Sequence, residues 1–544
     1  MRHLKKIVVL ALCLLLVAGC TPAGNQPVTT PPDGQGQQAT PPGDTTPGDA
    51  APPSDVGGTF IFSGNANMTQ WDPLDENRGN TYMLMKLHYD FLVTPGPDYI
   101  SFAPMLAESW SVSDDGLEWT FNLRPGVYFH NGEYFDSSSV VTTFQRLLDT
   151  PTLVHSGFWG FLESVRAEDQ YTAVIRLNTP WGATLAQVST VPMLPPLMYA
   201  EMGADMFIWD DNNRPIGTGP WMADVWLPGQ DAEFIRNDNY WGWNGNMSTF
   251  ERVIYRPLTE DTARVAGIQT GDLTMSNVLP AEMADMLDDI DGITVQRIMT
   301  NAIIHLGFRT SEDDGNYRVF NDLRARQAVM HAIDIHGIVN AIAGGGAPSD
   351  WPAPPGVIGH DPSRAFEWEY NPDLARELLA QTNYDGQEIV FMVPLGVFAR
   401  ASEISQAITA MLTEVGFNVD MQIMENAAFQ QQRAAADYDL YIQRYGFQVG
   451  DPDRDITLRW LNDAHMSGYV NPELNALIEA SRIETDPAER ERILREVFWV
   501  QWNTLAPHAA LFVQQNNAAH LDGITGIRFR PDDLIDYSRV TFAP

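Results

Sequence analysis

Between Leu106 and Leu148 the spacing of apolar positions changes from strand-like to helix-like, and each run predicts an element. Leu117, Trp119, Phe121 and Leu123 alternate with polar residues at the two-residue period of a half-buried strand. Trp110 and Val112 precede them across an Asp114-Asp115-Gly116 turn, so the pattern predicts a hairpin. After Pro125-Gly126, Val127 and Phe129 predict a short third strand, and Asn131-Gly132 supplies residues that tolerate positive φ in a tight turn. Val140, Val141, Phe144, Leu147 and Leu148 then fall on one helical face, with Asp136 as N-cap. Upstream, Gly58 to Phe62 reads as an opening strand, followed by a loop through Trp71 to Leu74 and a helix from Tyr82 to Phe91. Downstream, strand Ile389–Val393, helix Ala401–Val415 and strand Asn418–Ile423 form a β-α-β pattern. Patterning alone fits any mixed α and β domain.

The first residues follow another logic. Arg2, Lys5 and Lys6 precede an apolar run from Ile7 to Val17, too short to span a bilayer comfortably and laid out as a secretory leader over residues 1–19. Val17-Ala18-Gly19-Cys20 looks like a bacterial lipobox, in which Cys20 carries diacylglycerol; the alternative is an ordinary cleavage site with a chance cysteine. From Thr21 to Gly58 the only large aliphatic residues are Val28 and Val56 and there is no aromatic ring, so residues 20–58 are expected to be a disordered tether. Some 38 residues of this kind reach about 35 Å. Of two cysteines, Cys13 leaves with the leader and Cys20 takes lipid, so no disulfide is expected in the folded part. A lipid-anchored protein on the extracytoplasmic face of a bacterial membrane is implied.

Charge narrows the classes further. With 33 Lys and Arg against 70 Asp and Glu the formal charge is −37, which repels phosphate backbones and opposes flat adsorption to anionic lipid. Nucleic-acid binding is thereby excluded. Acidic runs such as Glu312 to Asp314 and Asp288-Asp289 read as solvated faces, and Asp451 to Asp455 is set apart from them by its surroundings. Lys86 is the only lysine after the leader.

The residues within these elements carry more than their pattern. Leu106-Ala107-Glu108-Ser109-Trp110, Ser113-Asp114-Asp115-Gly116-Leu117, the run from Phe121 to Gly132 and the helix start Phe135 to Val141 closely resemble the signature of family 5 extracellular solute-binding proteins. These are the peptide, nickel and opine receptors of ABC importers. Gly217-Thr218-Gly219-Pro220-Trp221, Arg236-Asn237 with Tyr240-Trp241, Asp261 to Leu273, Asp322 to Asp334 and Tyr370 to Arg376 extend the resemblance over nearly all of the chain after the tether. One departure is Ser139, where the family often has an acid that completes a capping box; a weaker cap is expected.

The resemblance implies an α/β, periplasmic-binding-protein-like, two-lobed fold of type II, cluster C, with an extra small domain. Residues 59–95, 217–304 and 515–544 would form domain I, 96–216 domain II and 305–514 domain III. It also implies ligand contacts from the loop with Asn77, Gly79 and Asn80, from the aromatic pair Phe158 and Trp159, and from the loop after the strand that begins near Tyr438, which carries Tyr445, Gly446, Phe447, Gln448 and Asp451. In peptide-binding relatives an Asp three residues before the acid of that loop pairs with the α-ammonium of the ligand. Here that position is Gln448, which accepts a hydrogen bond without neutralising charge.

A peptide would then need another carboxylate such as Asp451, or a partly solvated amine. An oligosaccharide or opine-like conjugate would suit an amide among Tyr445, Phe447 and Trp159. Peptides or peptide-like solutes remain the first expectation, with hinge closure as the mechanism and ABC permease and ATPase subunits as partners of a monomer. An enzyme is the rival class, a secreted glycosidase or peptidase. No H-E-x-x-H, G-x-S-x-G or P-loop occurs, and His331 and His336 are five apart and do not share a helix face, so no metal or cofactor is expected. A surface chaperone or sensor on the same fold stays open.

Overall fold

The computed structural model describes residues 58–76, 79–210, 212–243, 248–310, 318–461, 467–505 and 507–542, and the side chain of Asn80 is also outside the description. The leader, Cys20 and the tether up to residue 57 therefore lie outside the described residues. Among those described, no helix is long and apolar enough to cross a membrane.

The chain opens with β1 (Thr59–Gly64), which buries Phe60 and Phe62, and α1 (Gly79–His88). Next come β2 (Ala107–Val112) and β3 (Glu118–Leu123), then α2 (Ser137–Asp149), β4 (Leu162–Asp169) and β5 (Thr172–Leu177). The four strands form an antiparallel sheet in the order β2-β3-β5-β4, and α2 packs against β4. The hairpin expected from the alternation is present, with Trp110 opposite Phe121 and Val112 opposite Trp119.

Two local expectations change. Val127 and Phe129 are buried yet form no strand, only an isolated bridge between Tyr128 and Tyr134. The second edge of β3 is already taken by β5, with Trp119 opposite Ile175, so Val127 to Phe129 cannot pair with β3. At α2, Ser139 does complete a capping box. The Asp136 carboxylate accepts from the Ser138 backbone N–H at 2.9 Å, and the Ser139 hydroxyl accepts the Asp136 N–H at a long 3.5 Å.

The chain returns through Gly217 and Gly219 to β6 (Trp221–Trp226), β7 (Ala232–Arg236), β8 (Arg252–Pro257), α3 (Asp261–Thr270), β9 (Met275–Ser276) and α4 (Ala281–Asp288). These two glycines explain why α1 stops at His88 and not at Phe91. A Cβ on Gly217 would fall 2.0 Å from the His88 carbonyl oxygen, and that oxygen accepts the Gly219 N–H at 2.9 Å. The His88 ring seals the joint: Nδ1 accepts from Ala223 N–H at 3.1 Å and Nε2 donates to the Pro215 carbonyl at 3.0 Å.

Then follow β10 (Ile293–Phe308), α5 (Leu323–Ala332), α6 (Pro372–Ala380), β11 (Glu388–Pro394), α7 (Ala401–Val415), β12 (Asn418–Met424), β13 (Leu440–Gly446), α8 (Pro487–Thr504) and β14 (His508–Leu521). The expected β-α-β unit is β11-α7-β12, with its two strands parallel. Asp322 and Asn371 cap α5 and α6 through their side chains.

One eleven-stranded mixed sheet takes in the labelled strands outside the small antiparallel sheet, in the order β12-β11-β13-β10-β14-β9-β1-β8-β7-β6, with Ala347–Pro348 on the side of β14. Three main cores result. One lies under the small sheet and contains Phe121, Phe144 and Trp159; one surrounds Phe60, Trp221 and Tyr537; and the third surrounds Phe308, Phe391 and Trp502. Only the long antiparallel pair β10–β14 runs continuously from the second to the third. Its pairing is broken between Met299 and Ile303 and shifts again between Ile304 and His305.

Histidines at these joints set a pH dependence. Burial pushes His155 down to about 4, and burial also takes His88, His305 and His508 well below the ordinary 6.5, with His130 adding to the effect at His88 and His508 at His305. The folded chain refuses protons that the unfolded chain takes up below pH 6.5, so stability is complete above that value and falls as the pH drops towards 4. At pH 5 His155 alone costs about 2 kcal/mol. Asp90, pushed up to about 6 by burial, works in the opposite direction below pH 6 and recovers about 1.4 kcal/mol at pH 5. Four histidines outweigh it, so the urea midpoint is expected to be lower at pH 5 than at pH 7.5. An equal or higher midpoint at pH 5 contradicts this balance.

Candidate functional site

A cavity of about 1110 Å³ opens beside the broken stretch of β10 and β14. One side is built by the second core, through α1, the Asn277–Glu282 segment and Asp532 to Leu534; the other by the third core, through Gly396 to Arg400 and the segment from Gly446 to Arg459. Between them the middle of β14, Gln514-Gln515-Asn516-Asn517, half-buried and then buried at Asn517, supplies four consecutive carboxamides, and Asn65, Asn277, Asn301 and Gln448 add four more.

The strand break makes this wall polar. Where the ladder lapses, Thr300 Oγ1 donates to the Gln514 carbonyl at 2.8 Å, Asn301 N–H donates to the Pro531 carbonyl at 2.7 Å, and Asn301 Nδ2 donates to the Phe447 carbonyl. Asn517 Nδ2 donates to the Leu279 carbonyl at 3.2 Å. The side chain of Asn277, only 5% exposed, has an Oδ1 without a hydrogen-bond partner. A buried acceptor left unmet in a cavity wall costs stability until a donor arrives.

Backbone strain gathers at the same place. Val278 at φ 55°, Arg400 at φ 56° and Asp533 at φ 64° line the cavity, and Val449 at φ 49° follows Gln448. For β-branched Val278 and Val449 the left-handed region is strongly disfavoured, and such strain persists where the surroundings over-determine it.

Charges at the site come in pairs. Arg444 contacts Asp533 and donates from Nε to Gln514 Oε1 at 2.7 Å, while burial pulls its guanidinium down to about 10. Arg459 meets Asp455 at 3.3 Å and lies over the Tyr445 ring. Arg400 meets Glu282 across the cavity, joining α4 to the start of α7. Burial opposes the charges of Asp532 and Arg530, yet each holds the other ionised: the carboxyl stays below its usual range and the guanidinium above its own.

The residues expected at the site divide into two groups. Gly79, Gly446, Phe447 and Gln448 line the cavity. Asn77 and the side chain of Asn80 lie outside the described residues. Phe158 approaches indirectly, as a platform 4.0 Å beneath the Arg454 guanidinium, and Arg454 itself lines the cavity. Three others are placed elsewhere. Trp159, 3% exposed, packs edge-on against Phe144 and Trp181 in the core of the small sheet. Tyr445 is buried with its ring edge-on to His305 at 4.5 Å. Asp451 is held by both terminal nitrogens of Arg490, at 2.6 and 2.8 Å, so its carboxylate is committed to a buried pair. Neighbouring Asp453 accepts from Trp181 Nε1 at 3.0 Å, pinning this loop to the small core.

Sequence reasoning missed Arg444, Arg454, Arg459, Asn277 and the carboxamide run. The last left a signal: four amides interrupt a strand that is otherwise largely buried. A strand of a single core would bury apolar residues there.

Comparison with known proteins adds context to this geometry. The model of a family described as bacterial extracellular solute-binding proteins, family 5 Middle, matches residues 101–465. The glutathione-binding protein GsiB of Pectobacterium atrosepticum is 24% identical over 495 residues, which cover 88% of this chain and 93% of that protein. Among solved structures, DppA from Helicobacter pylori in complex with peptide STSA aligns with a TM-score of 0.73 at 22% identity, covering 90% of this chain and 98% of that one. HbpA2 from Haemophilus parasuis aligns with a TM-score of 0.78 at 21% identity, covering 89% and 100%. These structural likenesses establish the two-lobed mixed α/β fold.

Proposed function

The chain belongs to the bacterial extracellular solute-binding proteins of family 5, and on that premise we propose that it captures peptides in the cavity between its two sheet-linked cores and hands them to an ABC permease. The observation that carries the reading is the carboxamide-lined wall of β14 facing strained, paired-charge segments across the cavity. Carboxamides both donate and accept, which matches the alternating N–H and C=O groups of an extended peptide, whatever its side chains. A cavity of about 1110 Å³ exceeds what one small metabolite fills. The names of GsiB and of the DppA complex point the same way, towards glutathione and a short peptide.

In this reading Gly79, Gly446, Phe447 and Gln448 contact the ligand directly, and Phe158 acts through Arg454. The separate cores support a three-part division of the folded chain close to 95/96, 216/217, 304/305 and 514/515, with Leu92 and Val93 packing in the small-sheet core and Ile303 and Ile304 in the third. Closure bends the β10–β14 pair at Thr300 to Ala302, where the ladder is already open, and the Arg400–Glu282 contact forms as the two sides meet. Lipid on Cys20 holds the receptor at the outer face of the membrane while the tether lets it reach the permease.

Two measurements test these statements. Full chain stripped of ligand by unfolding and refolding, then incubated with a casein digest, is expected to show peptide-mass adducts in native mass spectrometry. It is expected to show none with a maltooligosaccharide series; a hexose-spaced ladder without peptide adducts overturns the reading. For the anchor, Cys20→Ala protein is expected in the medium while the parent stays with membranes, and equal retention of both contradicts lipidation.

A further inference from the structure

The wall around Gln448 has a polarity of its own. Gln448 follows β13, and the buried left-handed Val449 beside it fixes the direction in which its backbone leaves the strand. Arg454 Nη1 lies 3.0 Å from Gln448 Oε1. A guanidinium can only donate, so the amide atom facing it is the oxygen, and the amide NH₂ remains for the cavity. Phe158 backs Arg454 at 4.0 Å, which holds the donor in place.

Among the described residues, the acids around Gln448 are shared with arginines. Asp455 is shared with Arg459 and Asp533 with Arg444, while Asp451 is locked to Arg490. Around the rest of the cavity Asp261 is paired with Arg264, Glu282 with Arg400 and Asp532 with Arg530, while Glu403 on α7 is an exposed acid of the lining away from these pairs. At Gln448 and Arg454 an entering ammonium would meet amide and guanidinium donors, and at each of these ion pairs it would have to compete with an arginine. Donor facing donor in a desolvated wall costs affinity, whereas an oxygen acceptor there gains charge-assisted hydrogen bonds.

Resting on the peptide reading, we infer that Gln448 and Arg454 form a specificity-determining pair that receives an oxygen-acceptor group of the ligand, a carboxylate or an acyl carbonyl, and not a free α-ammonium. The two sources of that oxygen differ in chemistry: a free C-terminus placed at this wall, or an acylated N-terminus. Both leave the α-amine, if present, elsewhere.

The test uses full chain and the tightest-binding member of a free tetrapeptide library, with its N-acetylated and C-amidated derivatives, followed by titration calorimetry. Acetylation is expected to weaken binding by less than about threefold, and a larger loss overturns the inference. A loss of more than about tenfold on amidation assigns the oxygen to the C-terminus, and a gain on acetylation assigns it to an acyl group. The sign is read from Gln448→Glu, which keeps the side-chain shape: the preferred derivative is expected to bind at least tenfold more weakly with the melting temperature unchanged. Tighter or unchanged binding overturns the inference, because a wall that receives an ammonium gains from the added charge. Should Gln448→Glu lower the melting temperature, Arg454→Met takes its place, with the same tenfold weakening expected and unchanged binding counting against the pair. If no library member binds in any form, the peptide reading itself fails, and that result is distinct from binding with the opposite preference.

Discussion

Everything in this molecule depends on two strands that must each serve two cores. The first halves and second halves of β10 and β14 pack in different apolar environments, around Tyr537 on one side and Phe512 on the other. A continuous ladder across that gap would join the cores rigidly. The ladder instead lapses between Met299 and Ile303, and the freed backbone groups are met by Thr300, Asn301 and carbonyls of neighbouring segments. Unmet backbone groups are too costly to leave buried, so polar side chains are obligatory at this point. The same polar side chains become the wall of the cavity, and hinge and ligand surface are thus one solution to one constraint.

The second theme is charge kept in pairs. A chain of formal charge −37 brings five arginines to a single cavity, and four of them meet an acid of its lining. Pairing lets the cavity carry strong hydrogen-bond donors without a net field that would reject solutes outright. Strain at Val278, Arg400, Val449 and Asp533 shows that the surrounding structure stabilises this arrangement against local preference.

Much of the architecture was legible before any coordinates. Alternation around Trp119, the cap at Asp136 and the helix Ala401–Val415 are local in origin, and the structure repeats them. The third strand at Val127 was not legible, because β5 takes that edge from fifty residues further on. The site was legible only in part. Gly446, Phe447 and Gln448 were legible through the resemblance of their loop to that of the family, but Trp159 and Asp451 could face either way, and only packing against Trp181 and Arg490 decides it. Arg454 and the amides of β14 owe their role to a meeting of segments far apart in the chain, which no periodicity encodes.

The account stands on closure of the two sides over a solute, and the described residues offer a clean way to measure it because the two cysteines of the chain, Cys13 and Cys20, both lie ahead of them. In a Cys20→Ala background, Glu282→Cys with Arg400→Cys places a thiol pair across the cavity. Disulfide formation followed over time is expected to accelerate at least tenfold when a binding tetrapeptide is added, and the oxidised protein is expected to retain that peptide through gel filtration. Equal oxidation rates with and without a peptide that demonstrably binds would contradict the account.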